Sequence, residues 1–174
     1  VYMSMHLLNG RYLLLGHLGR GGMGIVYKAA DQLLGSRLVA IKEMSQRSLS
    51  IRELAQVRGA FQREALLLAS LAHQNLPRVY DHFSDHGNSY LVMDFIDGET
   101  LSGVLQRAGN GLHVEEVLLI AEQLCSVLNY LHTRQPPVIF RDLKPGNVMI
   151  TSTGDHVYLI DFGIARLFKP AQHQ

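Results

Sequence analysis

The sequence has little of what marks a secreted, a membrane-spanning or a strongly charged protein. Its one cysteine, Cys125, cannot form a disulfide within the chain, which excludes a small fold held together by disulfides. No apolar run approaches the roughly 18 residues that a membrane helix needs, and no signal-peptide pattern is visible. Lysine and arginine (16) nearly balance aspartate and glutamate (15), so charge gives no reason to expect a nucleic-acid or membrane-surface partner.

The composition that is present suits a packed globular domain. The 174 residues exceed only slightly the roughly 150 of a typical domain. Apolar residues make up 47% of the chain. Charged residues, at 18%, lie below the usual share of about 25%, which argues against disorder.

Hydrophobic patterning predicts an α+β architecture in two lobes, with residues 1–96 forming a β-rich lobe and 97–174 a more helical one. Strands are expected at 11–18, 25–29, 38–42, 79–83 and 90–95, and a helix at 61–71. The strongest helical pattern covers 114–132 and ends before Pro136. Its apolar stripe includes Cys125, which we therefore expect to be buried.

A glycine-rich segment at residues 19–24, GRGGMG, lets a backbone turn tightly and bring its N–H groups close to phosphate oxygens. A dinucleotide-binding loop would need a helix directly afterwards and an acidic residue about twenty positions later. Strand-like residues follow instead, and Lys42 stands at that distance. The dinucleotide interpretation therefore fails, and a plain glycine-rich hairpin remains as the alternative.

Lys42 ends the strand-like segment 39–42, VAIK. A lysine on a strand usually keeps its ammonium in water. Here a glycine loop precedes it and Glu64 follows on the predicted helix, so an ion pair between Lys42 and Glu64 would aim the ammonium at phosphates. Taken alone, Glu64 reads as a solvated helix charge.

The loop at residues 140–147, FRDLKPGN, holds an acid, a base and an amide close together. Asp142 could accept a hydroxyl proton, Lys144 could hold a transferring phosphoryl group, and Asn147 could ligate a hard cation. The later segment 160–163, IDFG, places Asp161 at a glycine turn, where a carboxylate suits a second metal contact. Each segment alone also fits an ordinary turn. Ordinary turns do not explain the occurrence of all these segments in this order.

These motifs resemble those of the protein kinase family, and more closely its bacterial serine/threonine members, from about Arg11 to Arg166. Residues 144–147, KPGN, look like the K-P-x-N loop typical of serine/threonine kinases. The resemblance implies a kinase-like α+β fold with a complete β-rich N-lobe carrying one main helix and a partial helical C-lobe. It also implies ATP with Mg²⁺ or Mn²⁺ as cofactors, and phosphoryl transfer to Ser/Thr hydroxyls of proteins.

The same resemblance assigns roles to single residues. The implied catalytic residues are Asp142 (the base), Lys144, Lys42 (on the α- and β-phosphates) and Glu64. The implied metal ligands are Asn147 and Asp161. The implied nucleotide-binding residues run from the glycine loop to the adenine pocket, with Met93 as gatekeeper: Leu18, Gly19, Gly21, Gly22, Gly24, Val26, Ala40, Lys42, Met93, Asp94, Ile96 and Met149. The backbone of Asp94 and Ile96 would contact the base.

Phe140 departs from the family pattern, because it stands where the H-R-D motif has histidine. In related kinases that residue packs in a buried hydrophobic spine, which here would consist of Leu68, Val79, Phe140 and Phe162. Phe140 keeps the aromatic bulk, and the base, the lysine and both metal ligands are present, which favours an active enzyme. The alternative is a nucleotide-binding pseudokinase that acts as a regulatory binding module.

A second departure is that the activation loop, the A-P-E motif and the later C-lobe helices do not follow the Asp-Phe-Gly motif. We therefore expect an N-terminal fragment of a catalytic domain that is weakly active, inactive or non-functional alone, with the apolar face of 114–132 partly exposed. The expected partners are ATP and a protein substrate with Ser or Thr, without nucleic acid and without a membrane segment in this chain. The expected location is the cytoplasm, alone or as part of a longer membrane-anchored kinase.

Overall fold

The computed structural model describes residues 7–21, 24–44, 55–56, 59, 62 and 65–161. Within them the chain forms two compact units. Of the described residues, unit 1 combines those up to 70 with 78–95, and unit 2 combines 71–77 with 96–161. Among the described residues, no helix is both long enough and apolar enough to span a bilayer.

Unit 1 contains an antiparallel six-stranded sheet in the order β1-β2-β3-β4-β6-β5. Its strands are β1 (Leu7–Leu8), β2 (Tyr12–Gly21), β3 (Gly24–Asp31), β4 (Arg37–Met44), β5 (Val79–Asp85) and β6 (Asn88–Asp94). The β-branched and apolar run at Val39–Ile41 is buried in β4, which lies between β3 and β6. Residues 65–69 are helical, inside the helix predicted at 61–71.

The core of unit 1 lies against one face of this sheet. It is formed by side chains from five of the strands: Leu8, Tyr12, Ala29, Val39, Ile41, Tyr90 and Val92. The rings of Tyr12 and Phe83 stack 5.8 Å apart, and those of Phe83 and Tyr90 stack 5.1 Å apart. Because successive side chains on a strand point to opposite faces of the sheet, the residues that alternate with these core residues lie on the other face.

Arg11 and Asp31 join the start of β2 to the end of β3. Asp31 is 2% exposed and accepts hydrogen bonds from Arg11 Nε (2.8 Å) and Nη2 (2.7 Å) and from the Leu33 backbone N–H (3.1 Å). The hydrogen bonds from Arg11 hold the pKa of Asp31 below its usual value. Folding therefore favours the charged carboxylate, and this stabilisation is present above the ordinary aspartate pKa and lost as the pH falls below it.

Replacing Asp31 with asparagine should lower the free energy of unfolding at pH 7 by about 1.5–3 kcal/mol, the range for hydrogen bonds to charged groups. The difference from wild type should shrink as the pH falls below about 4, since Asp31 then binds a proton in the unfolded wild type before it does so in the folded protein, where its pKa is lowered. Urea unfolding followed by circular dichroism at pH 7 and pH 3 measures both values, with Glu122→Gln on the protein surface as the control. An equal loss at the two pH values would contradict the prediction.

Unit 2 combines two helices with a three-stranded antiparallel sheet. The helices are α1 (Leu101–Ala108) and α2 (Val114–His132), and the strands, in sheet order, are β7 (Gly98–Thr100), β8 (Val148–Thr151) and β9 (Val157–Leu159). The Thr100 side chain caps α1 by accepting a hydrogen bond from the Gly103 N–H at 3.2 Å. A short 3-10 turn at Pro145–Asn147 leads directly into β8.

Helix α2 buries fewer residues than its sequence pattern suggests. Ile120, Val127 and Leu131 are buried, whereas Cys125 is exposed, so the expectation of a buried cysteine is wrong. The apolar stripe is wider than the contact that the helix makes within the described part of unit 2. As expected, part of this face is exposed, as at Val117, Ala121 and Cys125.

Candidate functional site

The described part of the glycine-rich segment, residues 19–21 and 24, lies at the adjoining ends of β2 and β3. Pairing continues to Gly21 opposite Gly24, while Gly22 lies outside the described residues. A register shift between His17 and Gly19 leaves Leu18 in the irregular position, with 47% of its surface exposed. A Cβ placed on Gly19 would meet no atom within 4 Å, so a ligand can approach its backbone closely.

The strand register places the predicted nucleotide-binding residues of unit 1 on one face of the sheet. Val26 pairs with Lys42, and Ala40, two residues before Lys42, pairs with Met93. Directly opposed residues share a face, and so do residues two apart on a strand. Val26, Ala40, Lys42 and Met93 therefore share the face opposite the core that contains Val39, Ile41 and Val92.

Asp94 is the last residue of β6, and the half-buried Ile96 follows it in irregular backbone. The Asp94 carboxylate accepts hydrogen bonds from the Tyr80 hydroxyl, from Arg37 Nη2 (3.1 Å) and from the Arg78 backbone N–H (2.8 Å). Burial and the hydrogen bond to Asp94 raise the pKa of Tyr80. The Tyr80 hydroxyl therefore stays protonated and remains a donor at neutral pH.

In unit 2, Asn147 holds the candidate base Asp142. Its side-chain nitrogen donates to the Asp142 backbone oxygen (2.8 Å) and to the carboxylate oxygen Oδ2 (3.2 Å). Asn147 is only 6% exposed, and its own N–H donates to the Lys144 backbone oxygen at 2.9 Å. The turn at Pro145–Asn147 thus fixes the orientation of a carboxylate five residues earlier in the chain.

Lys144 lies beside the same carboxylate, with its Nζ 2.8 Å from Asp142 Oδ2. The Lys144 side chain is 56% exposed. Exposed ion pairs of this kind contribute only about 0–1 kcal/mol, because water screens them. Lys144 can therefore exchange Asp142 for another anion at little cost, as a residue that holds a transferring phosphoryl group must do.

Asn147 also connects this loop to Asp161. Its backbone oxygen accepts the Ile160 N–H at 2.9 Å, and Asp161 is the next residue. Asp161 has a φ of 65°, a left-handed backbone conformation that is uncommon for residues other than glycine. Such conformations cluster at functional sites, where the surrounding structure maintains them. Met149, on β8, is half-buried and pairs with Thr100 and Tyr158.

The chemistry of these residues fits a magnesium–nucleotide complex. Amide and carboxylate oxygens are ligands that Mg²⁺ prefers, and Mg²⁺ is commonly held by one or two protein groups together with phosphate oxygens. Since the Asn147 nitrogen binds Asp142, its amide oxygen is directed away from Asp142. No three His, Cys, Asp or Glu side chains in the described part of the chain form a metal-binding cluster, so ligands from the nucleotide would have to complete the site.

Some of the sequence-based predictions lie outside the described residues. Glu64 is among them, so the ion pair with Lys42 stays a prediction. Phe162 is another, so the spine stays a prediction too; Phe140 and Leu68 are buried, at 7% and 8% exposed, whereas Val79 is half-buried. The division into 1–96 and 97–174 also stays a prediction.

Sequence reasoning did not identify some residues that fix the backbone near the candidate site. Asn75 is fully buried, and its Nδ2 donates to Gln123 Oε1 and to the Val157 backbone oxygen, both at 2.8 Å. Its backbone oxygen accepts the Leu159 N–H, which anchors the strand that precedes Asp161. In the sequence, Asn75 signals only a turn before Pro77. Arg37 and Tyr80 carried no sequence signal at all.

Comparisons with known proteins identify a family. The description "protein kinase domain" matches residues 12–174. Serine/threonine-protein kinase A of Synechocystis is 37% identical over 95% of this chain and 33% of its own length. Serine/threonine-protein kinase PknA of Mycobacterium tuberculosis is 38% identical over 94% of this chain and 37% of its own length. The chain thus spans about a third of the length of these curated relatives, which are bacterial.

Solved structures give the same fold. PpkA-294 in its apo form superposes with a TM-score of 0.81 at 28% sequence identity, covering 95% of this chain and 63% of that one. Rad53 1-466 in complex with AMP-PNP gives a TM-score of 0.73 at 24% identity, covering 88% of this chain and 38% of that one. The expected kinase-like α+β fold, with its β-rich N-lobe and partial helical C-lobe, is confirmed.

Proposed function

This chain belongs to the protein kinase family, and from that membership we propose that it transfers the γ-phosphoryl group of ATP to serine and threonine hydroxyls of a protein substrate. The observation that carries the proposal is the position of Lys144 and Asn147, which both contact the Asp142 carboxylate. The serine/threonine preference is supported by the K-P-x-N loop and by the names of the relatives.

Most of the proposed nucleotide-binding residues lie in unit 1. Gly19, where the backbone is open, and the neighbouring Gly21, Gly22 and Gly24 of the motif would offer N–H groups to phosphate oxygens, and Lys42 would add a positive charge for the α- and β-phosphates. Apolar contact to the adenine would come from Leu18, Val26, Ala40, Met93 and Met149, as the family resemblance implies. The backbone of Asp94 and Ile96 would donate and accept hydrogen bonds at the edge of the base.

Residues of unit 2 would perform the transfer. Asp142, oriented by Asn147, would accept the proton of the attacking hydroxyl. Lys144 would leave Asp142 and hold the transferring phosphoryl group, while the oxygens of Asn147 and Asp161 would hold the metal ion. When bound, magnesium–ATP supplies the phosphoryl group and neutralises its charge. The contribution of the protein is mainly positioning and electrostatic stabilisation.

Phosphate transfer from γ-labelled ATP to a generic protein substrate tests the proposal. With the full-length protein as the enzyme, we expect Mg²⁺-dependent labelling of serine and threonine in the substrate and none of tyrosine. Phosphoamino-acid analysis of the labelled substrate distinguishes the three residues. Phe140→His should change turnover by less than about threefold, because Phe140 is buried and already supplies the aromatic bulk. Labelled tyrosine would contradict the serine/threonine assignment.

The pseudokinase alternative gives a different pattern in the same assay. It requires that ATP binds without transfer in the wild type, and that Phe140→His leaves transfer at background. Transfer that appears only in the histidine variant would instead identify an enzyme weakened by Phe140.

A further inference from the structure

Asp94 lies where the main sheet of unit 1 stops supporting the backbone. The β4–β6 pairing ends at Val39 opposite Asp94, and irregular backbone follows at residues 95–97. Asp94 also exchanges hydrogen bonds with Arg78, since its own N–H donates to the Arg78 oxygen at 2.9 Å while its Oδ2 accepts the Arg78 N–H. The segment proposed to contact adenine therefore begins at the last position held by the strand ladder.

Beyond this point, hydrogen bonds from side chains hold Asp94 in place. Tyr80 donates its hydroxyl hydrogen to Asp94 Oδ1, and Arg37 Nη2 donates both to that carboxylate oxygen, at 3.1 Å, and to the Tyr80 hydroxyl oxygen. The Arg37 guanidinium lies 4.1 Å from the centroid of the Tyr80 ring. We refer to Arg37, Tyr80 and Asp94 as the Asp94 cluster; each member comes from a different strand, β4, β5 or β6.

A local irregularity in β5 contributes to this arrangement. Val79 pairs with Met93 and Asp81 with Val92, so Tyr80 is the extra residue of a β-bulge. A bulge redirects the side chain of the extra residue and bends its strand. Here the redirected side chain is the one that reaches Asp94. The bulge and the three-membered hydrogen-bond network are separate observations that converge on the same carboxylate.

We propose that Arg37 and Tyr80 are positioning residues for the nucleotide, which act by holding Asp94 and with it the backbone that recognises adenine. This inference rests on the proposed function, because the adenine contacts of Asp94 and Ile96 are part of that proposal. Backbone hydrogen bonds to a flat ligand depend on the direction of each N–H and C=O group. A carboxylate held from three directions fixes the residue that carries those groups, so less ordering is left to occur on binding.

The test compares nucleotide binding with turnover in Tyr80→Phe, Arg37→Gln and the double variant of the full-length protein. Loss of one hydrogen bond in this network should raise the Kd and the KM for ATP by about 3- to 10-fold. The kcat should stay within about twofold, and the KM for the protein substrate should not change, because neither residue touches the reacting atoms. The double variant should lose less than the product of the single losses, since both act through Asp94.

Arg134→Gln provides a matched control. It also removes an arginine from beside a tyrosine ring, at 5.6 Å from Tyr130, but in unit 2. The Kd for ATP should be unaffected in this control. Arg37→Lys, which keeps the charge, should restore part of the affinity lost in Arg37→Gln.

The outcomes separate the inference from the proposed function. If the wild type binds ATP and the variants bind it equally well, the positioning role is wrong and the proposed function stands. If kcat falls as much as ATP affinity, the residues are merely structural and the inference is also overturned. A wild type that binds no ATP contradicts the proposed function itself. Thermal unfolding accompanies each measurement, and Tyr80→Phe, which removes a single oxygen atom, decides the question if Arg37→Gln does not fold.

Discussion

Replacing Asp142 with asparagine should lower the kcat of phosphoryl transfer by about 10²- to 10⁴-fold, the range for loss of a general base. Asparagine has nearly the shape of aspartate and can still accept the hydrogen bond from Asn147, which also binds the backbone oxygen of residue 142. It cannot accept the proton of the attacking hydroxyl. The fold should therefore remain while the chemistry is lost.

Steady-state kinetics at saturating ATP and Mg²⁺ measure this effect, and the Kd for ATP should change little. The matched control is Asp155→Asn, another aspartate of unit 2, in the exposed turn between β8 and β9 where Thr151 and Thr153 donate to its carboxylate. We expect the control to retain its turnover. A variant at Asp142 that turns over as fast as wild type would exclude Asp142 as the base.

Lys42→Met should produce the second large effect, a fall in kcat/KM for ATP of about 10²- to 10³-fold, as when one preorganised group that stabilises developing charge is removed. Lys42 is half-buried on β4 between Val26 and Leu91, on the sheet face that also carries Ala40 and Met93. Methionine can occupy the space of the lysine stem, so the sheet should keep its packing while the charge disappears.

The matched control for this prediction is Lys28→Met on the neighbouring strand β3. Lys28 is half-buried and shares this sheet face, since it pairs with Ala40, but its ammonium lies 4.4 Å from the centroid of the Phe95 ring. Its replacement removes the same charge from the same face, and it should lower kcat/KM for ATP far less than Lys42→Met does, because Lys28 is not assigned to the phosphates. Equal losses in the two variants would mean that Lys42 acts only through the general charge of the sheet.

The long and regular parts of the fold were accessible from the sequence. Helix α2 has the predicted bounds of 114–132, because a strong apolar period and the later prolines define it. The strands predicted at 11–18, 25–29, 38–42 and 79–83 all exist and continue past their predicted ends, and the strand predicted at 90–95 is β6, which begins earlier and ends at Asp94. The β1 and β7 strands and helix α1 were missed, since two, three and eight residues are too few to show a period.

The candidate site also has a part that could be predicted from the sequence and a part that could not. Asp142, Lys144 and Asn147 lie within one short loop, so their proximity followed from sequence spacing, and the structure adds the contacts that orient them. The Asp94 cluster joins residues 57 and 14 positions apart through strand register and a bulge. Neither register nor a bulge can be read from local patterning, because both are set by the pairing of whole strands.

Asn147 has a consequence for how the activity can be lost in evolution. Its side chain orients Asp142 and, in the proposed site, supplies an oxygen to the metal ion, so two proposed functions depend on one side chain. The backbone oxygen that accepts the Ile160 N–H would be present with any residue at this position. Descendants that retained Asp142 and Asp161 but not Asn147 would therefore keep most of the family's motifs while losing both contributions of this side chain.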